Sequence, residues 1–174
     1  MERTACFESY PMSTVALANL QSISICAIGA YILSGLGLAL AGLYIIYVAA
    51  LAVNVMRNSC VNCYYFGKVC FSGWGKISPY LFNKGDSSAF SQRELTWLAI
   101  LPDFLTTIIP VFGGIVLIAV SFSWVTVGLV VVLVFLSTGG NAFVRGRLAC
   151  RFCKQRERGC PAEKLFQKGK GAES

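Results

Sequence analysis

The chain has 174 residues, of which 56% are hydrophobic, and it carries a formal net charge of +7. This composition is too apolar for an ordinary soluble domain and indicates a membrane protein. The chain contains no histidine, which excludes His-ligated metal sites and His-based acid–base catalysis.

Two long apolar blocks, roughly residues 13–56 and 95–144, account for the composition. A bilayer-spanning helix needs about 20 residues, so each block is long enough for two passes and too short for three. Glycine and serine interrupt the blocks at 34–37 and 121–124, where helical hairpins would need a turn. We therefore predict an all-α membrane protein with four transmembrane helices, at about 14–33, 37–57, 96–119 and 124–144.

The first predicted span is rather polar, because its first half contains Asn19, Gln21, Ser22 and Ser24. An interfacial helix followed by one long span is the alternative there, and it would give an odd number of crossings. The segment has no basic amino-terminal region, and its apolar run continues far beyond that of a signal peptide. We therefore expect it to remain in the mature protein.

Positive charge predicts the orientation. All 15 Lys and Arg residues lie in the amino-terminal stub, in the loop at 57–94 or in the tail after Phe143, and neither hairpin turn contains any. Cytoplasmic segments of membrane proteins carry an excess of Lys and Arg. We therefore expect an integral protein of an inner or plasma membrane, with both termini in the cytoplasm.

A three-cysteine motif, C-x2-C-x6-C, occurs twice, and each copy follows an apolar block. The two copies lie 90 residues apart, and similar pentapeptides follow them, LFNKG at 81–85 and LFQKG at 165–169. This pattern indicates an internal duplication. Two hairpin repeats with the same orientation are related by an axis along the membrane normal, which brings both motifs together on the cytoplasmic side. The motif cysteines are Cys60, Cys63 and Cys70, and then Cys150, Cys153 and Cys160.

The repeat divides the chain into five segments of alternating character. Two predicted transmembrane hairpins each precede a cytoplasmic cysteine motif, and a short stub precedes the first hairpin. The segments are the stub (1–13), hairpin 1 (14–57), motif 1 with its loop (58–94), hairpin 2 (95–144) and motif 2 with its basic tail (145–174).

The six motif cysteines are candidate metal ligands. Thiolates are soft ligands that favour zinc, copper(I) and iron–sulfur clusters. Two C-x2-C pairs supply the four sulfurs of a tetrahedral zinc site, and six thiolates suffice for two zinc ions that share bridging sulfurs. The leading hypothesis is therefore a zinc site with a structural role, in which no residue is catalytic.

The second motif reads CRFCKQRERGC at 150–160, with basic residues between its second and third cysteines. In cysteine spacing the repeated motif resembles the binuclear zinc cluster of fungal transcription factors, in which each half contributes three cysteines about a pseudo-twofold axis. The resemblance covers only the two motifs, and it implies zinc held by the six cysteines. The short linker of that family is replaced here by 79 residues, so we do not expect nucleic acid as a partner.

Two alternative hypotheses use the same cysteines. An iron–sulfur cluster needs four of them, and Cys160-Pro161 resembles the Cys-Pro ending of ferredoxin motifs, although the C-x2-C-x2-C core is missing. A redox dithiol at Cys60/Cys63 or Cys150/Cys153 resembles four-helix membrane disulfide oxidoreductases, which usually act on the oxidising face. The alternative function is therefore membrane electron transfer or thiol redox chemistry.

The third predicted span contains Pro102, Pro110 and the only acidic residue in a predicted span, Asp103. The prolines are expected to bend the helix and to free backbone carbonyls near Thr106 and Thr107. A carboxylate in lipid is costly. Since Asp103 lies near the predicted cytoplasmic surface, we expect it to be hydrogen-bonded or water-exposed rather than a proton relay.

The basic tail from Arg145 to Lys170 carries nine Lys and Arg residues. We expect it to contact anionic lipid headgroups, and a protein partner stays open. Cys6 and Cys26 have no assigned role, because lone cysteines are commonly small buried hydrophobes. The sequence has no interfacial cluster of His or carboxylates of the kind that membrane enzymes typically use, so an enzyme is not the favoured hypothesis.

Overall fold

The computed structural model describes residues 6–86, 90 and 97–160, and this part of the chain is helical, with no β-strand. The helix that begins at Trp124 continues in π-helical form after Phe135, through Leu136–Gly140 and Ala142–Ala149. The second pentapeptide, Pro161 and the rest of the basic tail lie outside the described residues. The named helices are α1 (Met12–Ser34), α2 (Leu38–Asn58), α3 (Trp74–Leu81), α4 (Trp97–Val120) and α5 (Trp124–Phe135).

Four helices within the described residues are long and apolar enough to cross a membrane. This confirms the prediction of an all-α chain with four helices of spanning length. The first of them, α1, is one continuous helix of 23 residues. The hairpin turns fall where they were predicted, and Gly37 in the first turn takes a φ of 152°, which glycine adopts readily. The candidate spans are Met12–Ser34, Leu38–Asn62, Ala99–Val120 and Trp124–Phe152.

Helix α1 is the centre of the bundle and contacts α2, α4 and α5. Close approach depends on small residues at the contacts. A Cβ atom on Gly29 would lie 2.8 Å from the Tyr44 hydroxyl and 3.1 Å from Pro110 Cγ. A Cβ on Gly114 would lie 2.4 Å from Val130 Cγ2. The helices are therefore packed too closely for larger side chains at these positions.

The prolines of α4 are matched by tyrosines of α2. Pro110 has no N–H to donate to the carbonyl four residues earlier, which is that of Thr106. The Tyr44 hydroxyl donates to Thr106 O at 2.8 Å, and the Tyr47 hydroxyl donates to Pro102 O at 2.8 Å. The carbonyl that Pro110 leaves free is therefore satisfied by a neighbouring helix, as membrane proteins require.

The polar residues of α1 are bonded inside the bundle. Gln21 is buried, and its Nε2 donates to Leu136 O at 3.0 Å and to Asn141 Oδ1 at 3.3 Å. Leu136 begins the π-helical segment Leu136–Gly140, and Asn141 lies between this segment and Ala142–Ala149. Asn19 Nδ2 donates to Ser72 O at 3.2 Å. The polarity of α1 thus reflects contacts with distant parts of the chain.

Candidate functional site

The two cysteine motifs adopt the same backbone turns. Each begins with one turn of 3₁₀-helix, Cys60–Asn62 and Cys150–Phe152, and the following cysteine is extended in both. Three backbone hydrogen bonds recur with an offset of 90 residues. In the first motif the bonds run from Cys63 N to Cys60 O (3.2 Å), from Phe66 N to Cys63 O (3.1 Å) and from Lys68 N to Tyr65 O (2.9 Å). The corresponding bonds of the second motif run from Cys153 N to Cys150 O (3.4 Å), from Arg156 N to Cys153 O (3.1 Å) and from Arg158 N to Gln155 O (3.2 Å).

The motifs contact each other through reciprocal hydrogen bonds. The Tyr64 N–H donates to Gln155 Oε1 at 2.7 Å, and the Lys154 N–H donates to Tyr65 Oη at 3.0 Å. Tyr64 and Lys154 occupy the same position of the motif, and so do Tyr65 and Gln155. Reciprocal contacts of this kind are what a two-fold axis generates. Tyr65 and Gln155 are only 2% and 4% exposed, so the contact forms the interior of the site.

The second cysteine of each motif lies at this contact. Cys63 Sγ donates to Gln155 Oε1 at 3.8 Å. Burial raises the pKa of Cys63 to about 11, and the nearby thiols of Cys153, Cys60 and Cys70 add to the rise. Burial also raises the pKa of Cys153. Both central thiols are therefore protonated at neutral pH unless a metal ion displaces the proton.

The structure does not contain a preformed metal coordination shell. Residues 6–86, 90 and 97–160 include all six motif cysteines, and each of these is a free thiol. Within these ranges no group of three or more Cys, Asp or Glu side chains is arranged to hold a metal ion. Cys150 is exposed and the other five are half-buried. The fold brings the two motifs together, and metal binding would require their thiols to draw closer.

Residues 6–11, which we name the N-terminal strap, lie across both motifs. The Phe7 N–H donates to Phe152 O at 3.0 Å, and the Tyr10 N–H donates to Val69 O at 3.0 Å. Tyr10 is 4% exposed, and its hydroxyl donates to Ala149 O at 2.6 Å. No role for the strap was predicted from the sequence, because six residues without a motif carry no periodic signal.

Glu8 in the strap binds a cation from each motif. Its carboxylate lies 3.2 Å from Lys68 Nζ and also pairs with Lys154 and the Tyr64 hydroxyl. The Tyr64 ring carries three cations, with Lys68 Nζ at 4.4 Å, Arg158 Cζ at 4.6 Å and Lys154 Nζ at 5.5 Å from its centroid. The Glu8 carboxylate and the Tyr64 ring therefore connect the strap, the first motif and the second motif in one cluster of charged and aromatic side chains.

Comparison of the chain with protein-family models, with curated proteins and with solved structures found no match. No relative therefore supplies an activity, a ligand or a partner by analogy. The contact between the two motifs and the chemistry of its thiols are the observations from which a function can be proposed.

Proposed function

We propose that the protein is an integral membrane protein whose two repeated halves are joined on the cytoplasmic side by a cysteine-ligated metal, zinc, in a structural role. The observation that carries this proposal is the reciprocal contact of Tyr64 with Gln155 and of Lys154 with Tyr65. The proposed ligands are Cys60, Cys63, Cys70, Cys150, Cys153 and Cys160.

Two features of the site favour a metal over packing alone. The buried residues at the motif contact form a small cluster of Tyr10, Val15 and Tyr65, which is little apolar surface for two loops. A structural metal adds folding free energy to such loops. Thiolates are the ligands that structural zinc prefers, and zinc requires four of them. The two motifs together supply six, so either one or two ions can be held.

The internal repeat and the orientation belong to the same proposal. The matching turns and the similar pentapeptides support descent of both halves from one hairpin-plus-motif unit. The confinement of all Lys and Arg to one side of the predicted topology supports a cytoplasmic location of the motifs. In that location the basic segments face anionic headgroups.

Elemental analysis of the protein purified without oxygen tests the metal. We expect about one to two zinc ions per chain, because the two motifs supply six thiols and a structural zinc ion uses four ligands. The variant with all six motif cysteines changed to serine should contain none. The matched control changes Cys6 and Cys26 to serine and should keep its zinc. Absence of zinc from the native protein, or its retention in the six-serine variant, would contradict the proposal.

A second candidate function is thiol redox chemistry or electron transfer with the same cysteines. It is favoured by two half-buried free thiols, Cys63 and Cys153, which lie near enough to interact electrostatically at the contact between the motifs. The same purified sample separates the hypotheses. A brown sample with visible absorbance selects an iron–sulfur cluster, and a colourless, zinc-free sample with titratable thiols selects a dithiol.

The orientation has a separate test. Cys150 is exposed, so after removal of bound metal an impermeant maleimide should modify it from the cytoplasmic face of sealed vesicles and not from the other face. Labelling only from the opposite face would reverse the proposed topology while leaving the metal proposal intact.

A further inference from the structure

We propose that the N-terminal strap is a detachable cover over the thiols between the motifs, and that Glu8 is its latch. Access of metal ions, oxidants and alkylating reagents to those thiols is then controlled by the strap. The inference depends only on contacts among the described residues. It therefore stands or falls separately from the proposal that zinc binds.

The strap covers a particular subset of the thiols. Tyr10 packs on Tyr65, with ring centroids 5.5 Å apart, and these two rings with Val15 form the buried cluster of the site. Cys63, Cys70 and Cys153 pack against this cluster. Cys60 and Cys150 are not among the residues packed on it in the described chain. Removal of the strap should therefore expose the first three and change the other two little.

The latch connects the strap to both motifs through charge. Glu8 pairs with Lys68 of the first motif and with Lys154 of the second, and the three side chains are 61%, 44% and 29% exposed. Ion pairs at this exposure are individually weak and are screened by salt. The latch is thus strong enough to bias the strap toward closure and weak enough to be released.

The hinge of the strap lies at Pro11. This residue is extended, with φ −63° and ψ 141°, and it immediately precedes the first residue of α1. Residues 6–10 are therefore outside the hydrogen-bonded part of the helix, which starts at Pro11 O, the acceptor for the Thr14 and Val15 N–H groups. They are held by the Phe7 and Tyr10 backbone bonds, by the Tyr65 hydroxyl, which donates to Phe7 O at 2.7 Å, by Cys6 Sγ, which donates to Glu157 Oε1 at 3.5 Å, and by the Tyr10 and Glu8 side chains. None of these hydrogen-bond and ion-pair partners lies on α1, so the strap can lift away without unwinding that helix.

Alkylation of individual cysteines in the full-length protein tests the cover. The protein is held reduced and metal-free in micelles, treated with N-ethylmaleimide, and the modification of each cysteine is followed by mass spectrometry. Glu8→Gln should raise the rates at Cys63 and Cys153 about two- to tenfold, the range expected from losing two exposed ion pairs. Concentrated NaCl should raise the wild-type rates and leave those of Glu8→Gln unchanged.

Tyr10→Ala removes the buried part of the cover and should raise the same rates about a hundredfold, because a large buried side chain is lost. Asp103→Asn, which removes a carboxylate far along the chain on α4, is the control and should change none. Cys60 and Cys150 monitor unfolding. Unchanged rates at Cys63 and Cys153 in Glu8→Gln, or an equal rise at all six cysteines in either strap variant, would overturn the proposal.

Discussion

In the first half of the chain, the second helix begins at Leu38, which lies 22 positions before Cys60, the first cysteine of the motif. In the second half, the corresponding helix begins at Trp124, which lies 26 positions before Cys150. Four more residues would lengthen an α-helix by about 6 Å. The motifs nevertheless meet in the same turns. The second half alone contains the π-helical turns of 136–140 and 142–149, whose hydrogen bonds skip one residue more than those of an α-helix. We infer that these wider turns absorb the additional residues.

The difference teaches which part of the two halves is held constant. The long apolar helices differ in length, polarity and helix type, whereas three backbone hydrogen bonds around Cys63 and Cys153 recur at equivalent positions. The π-helical turns shorten the helix that begins at Trp124, so that the second motif reaches the same height as the first. This indicates that the contact between the motifs constrains the second half. The predictions below test how far this equivalence goes, beginning with a feature of the first motif.

The largest effect is expected from Gly75→Ala. Helix α3 packs on the first motif, where the Gly67 N–H donates to Gly75 O at 2.8 Å and the Gly75 N–H donates to Cys70 Sγ at 3.2 Å. A Cβ on Gly75 would lie 2.3 Å from Tyr65 O and 2.7 Å from Lys68 O. Since these are backbone atoms, we expect a loss of about 3 kcal/mol in the free energy of unfolding, measured by SDS-induced unfolding in mixed micelles.

Gly42→Ala is the matched control, because a Cβ there meets no atom within 4 Å. It should leave the unfolding midpoint unchanged or raise it slightly, because alanine is more favourable than glycine inside a helix. Equal midpoints for the two alanine variants would show that α3 does not support the first motif.

The reciprocal contact between the motifs can be broken from either side. Gln155→Met leaves the Tyr64 N–H unpaired. Tyr65→Phe leaves the Lys154 N–H unpaired and also removes the bond that the Tyr65 hydroxyl donates to Phe7 O. Each should cost about 1–3 kcal/mol, the usual penalty for an unsatisfied buried donor. The double variant should cost less than the sum, because both changes open one interface. The same unfolding assay measures all three.

Tyr80→Phe, which alters a tyrosine that is 85% exposed, is the control for loss of a phenol hydroxyl. Additive costs, or a large cost for one variant and none for the other, would mean that the two contacts do not act as an equivalent pair.

The spans could be predicted from sequence because they depend on properties of contiguous residues. Apolar length, interrupted at 34–37 and 121–124, is sufficient to locate four helices. The contact between the motifs followed from a second local property, the repeated cysteine spacing, together with the even number of crossings. These parts of the fold needed no knowledge of tertiary packing.

The strap, the π-helical stretch and the partner of Gln21 could not be predicted, because each depends on residues distant in the chain. Gln21 made the first span look weak, yet its acceptors are 115 and 120 residues away. The role of Glu8 could not be predicted, because its partners Lys68 and Lys154 are far away in the sequence and are brought to it only by the fold. A hydropathy score lowers the predicted tendency of a segment to span the membrane for each polar residue. It does not include the hydrogen bonds that satisfy such residues in the folded chain.

Gln21→Leu tests whether α1 supports the π-helical turns. The variant loses the bonds to Leu136 O and Asn141 Oδ1, and polar contacts between membrane helices are worth about 0.6 kcal/mol on average and about 1.7 at most. We expect a loss of stability in that range in the micelle assay. Ser22→Ala is the control, since the Ser22 hydroxyl bonds to Ala18 O within its own helix. Equal free energies of unfolding for the two variants would show that α1 does not support the π-helical turns.

The smallest effect is expected at Asp103, the only carboxylate among the predicted spans. Its side chain is exposed, and it lines a groove of about 110 Å³ between α2 and α4 together with Asn54 and Asn58. The second half thus carries the acidic residue of its predicted spans at a surface, whereas the first half carries a buried polar residue, Gln21, at a helix contact. Asp103→Asn should change the free energy of unfolding by no more than about 0.5 kcal/mol, as substitutions at exposed positions do.

Proton flux into liposomes that contain the protein gives a second measurement on the same variant. A water-exposed carboxylate predicts no flux above that of empty liposomes, for the native chain and for Asp103→Asn alike. Flux that the substitution abolishes would show that Asp103 carries protons, since an isoelectronic amide keeps the shape of the groove and removes only the titratable group.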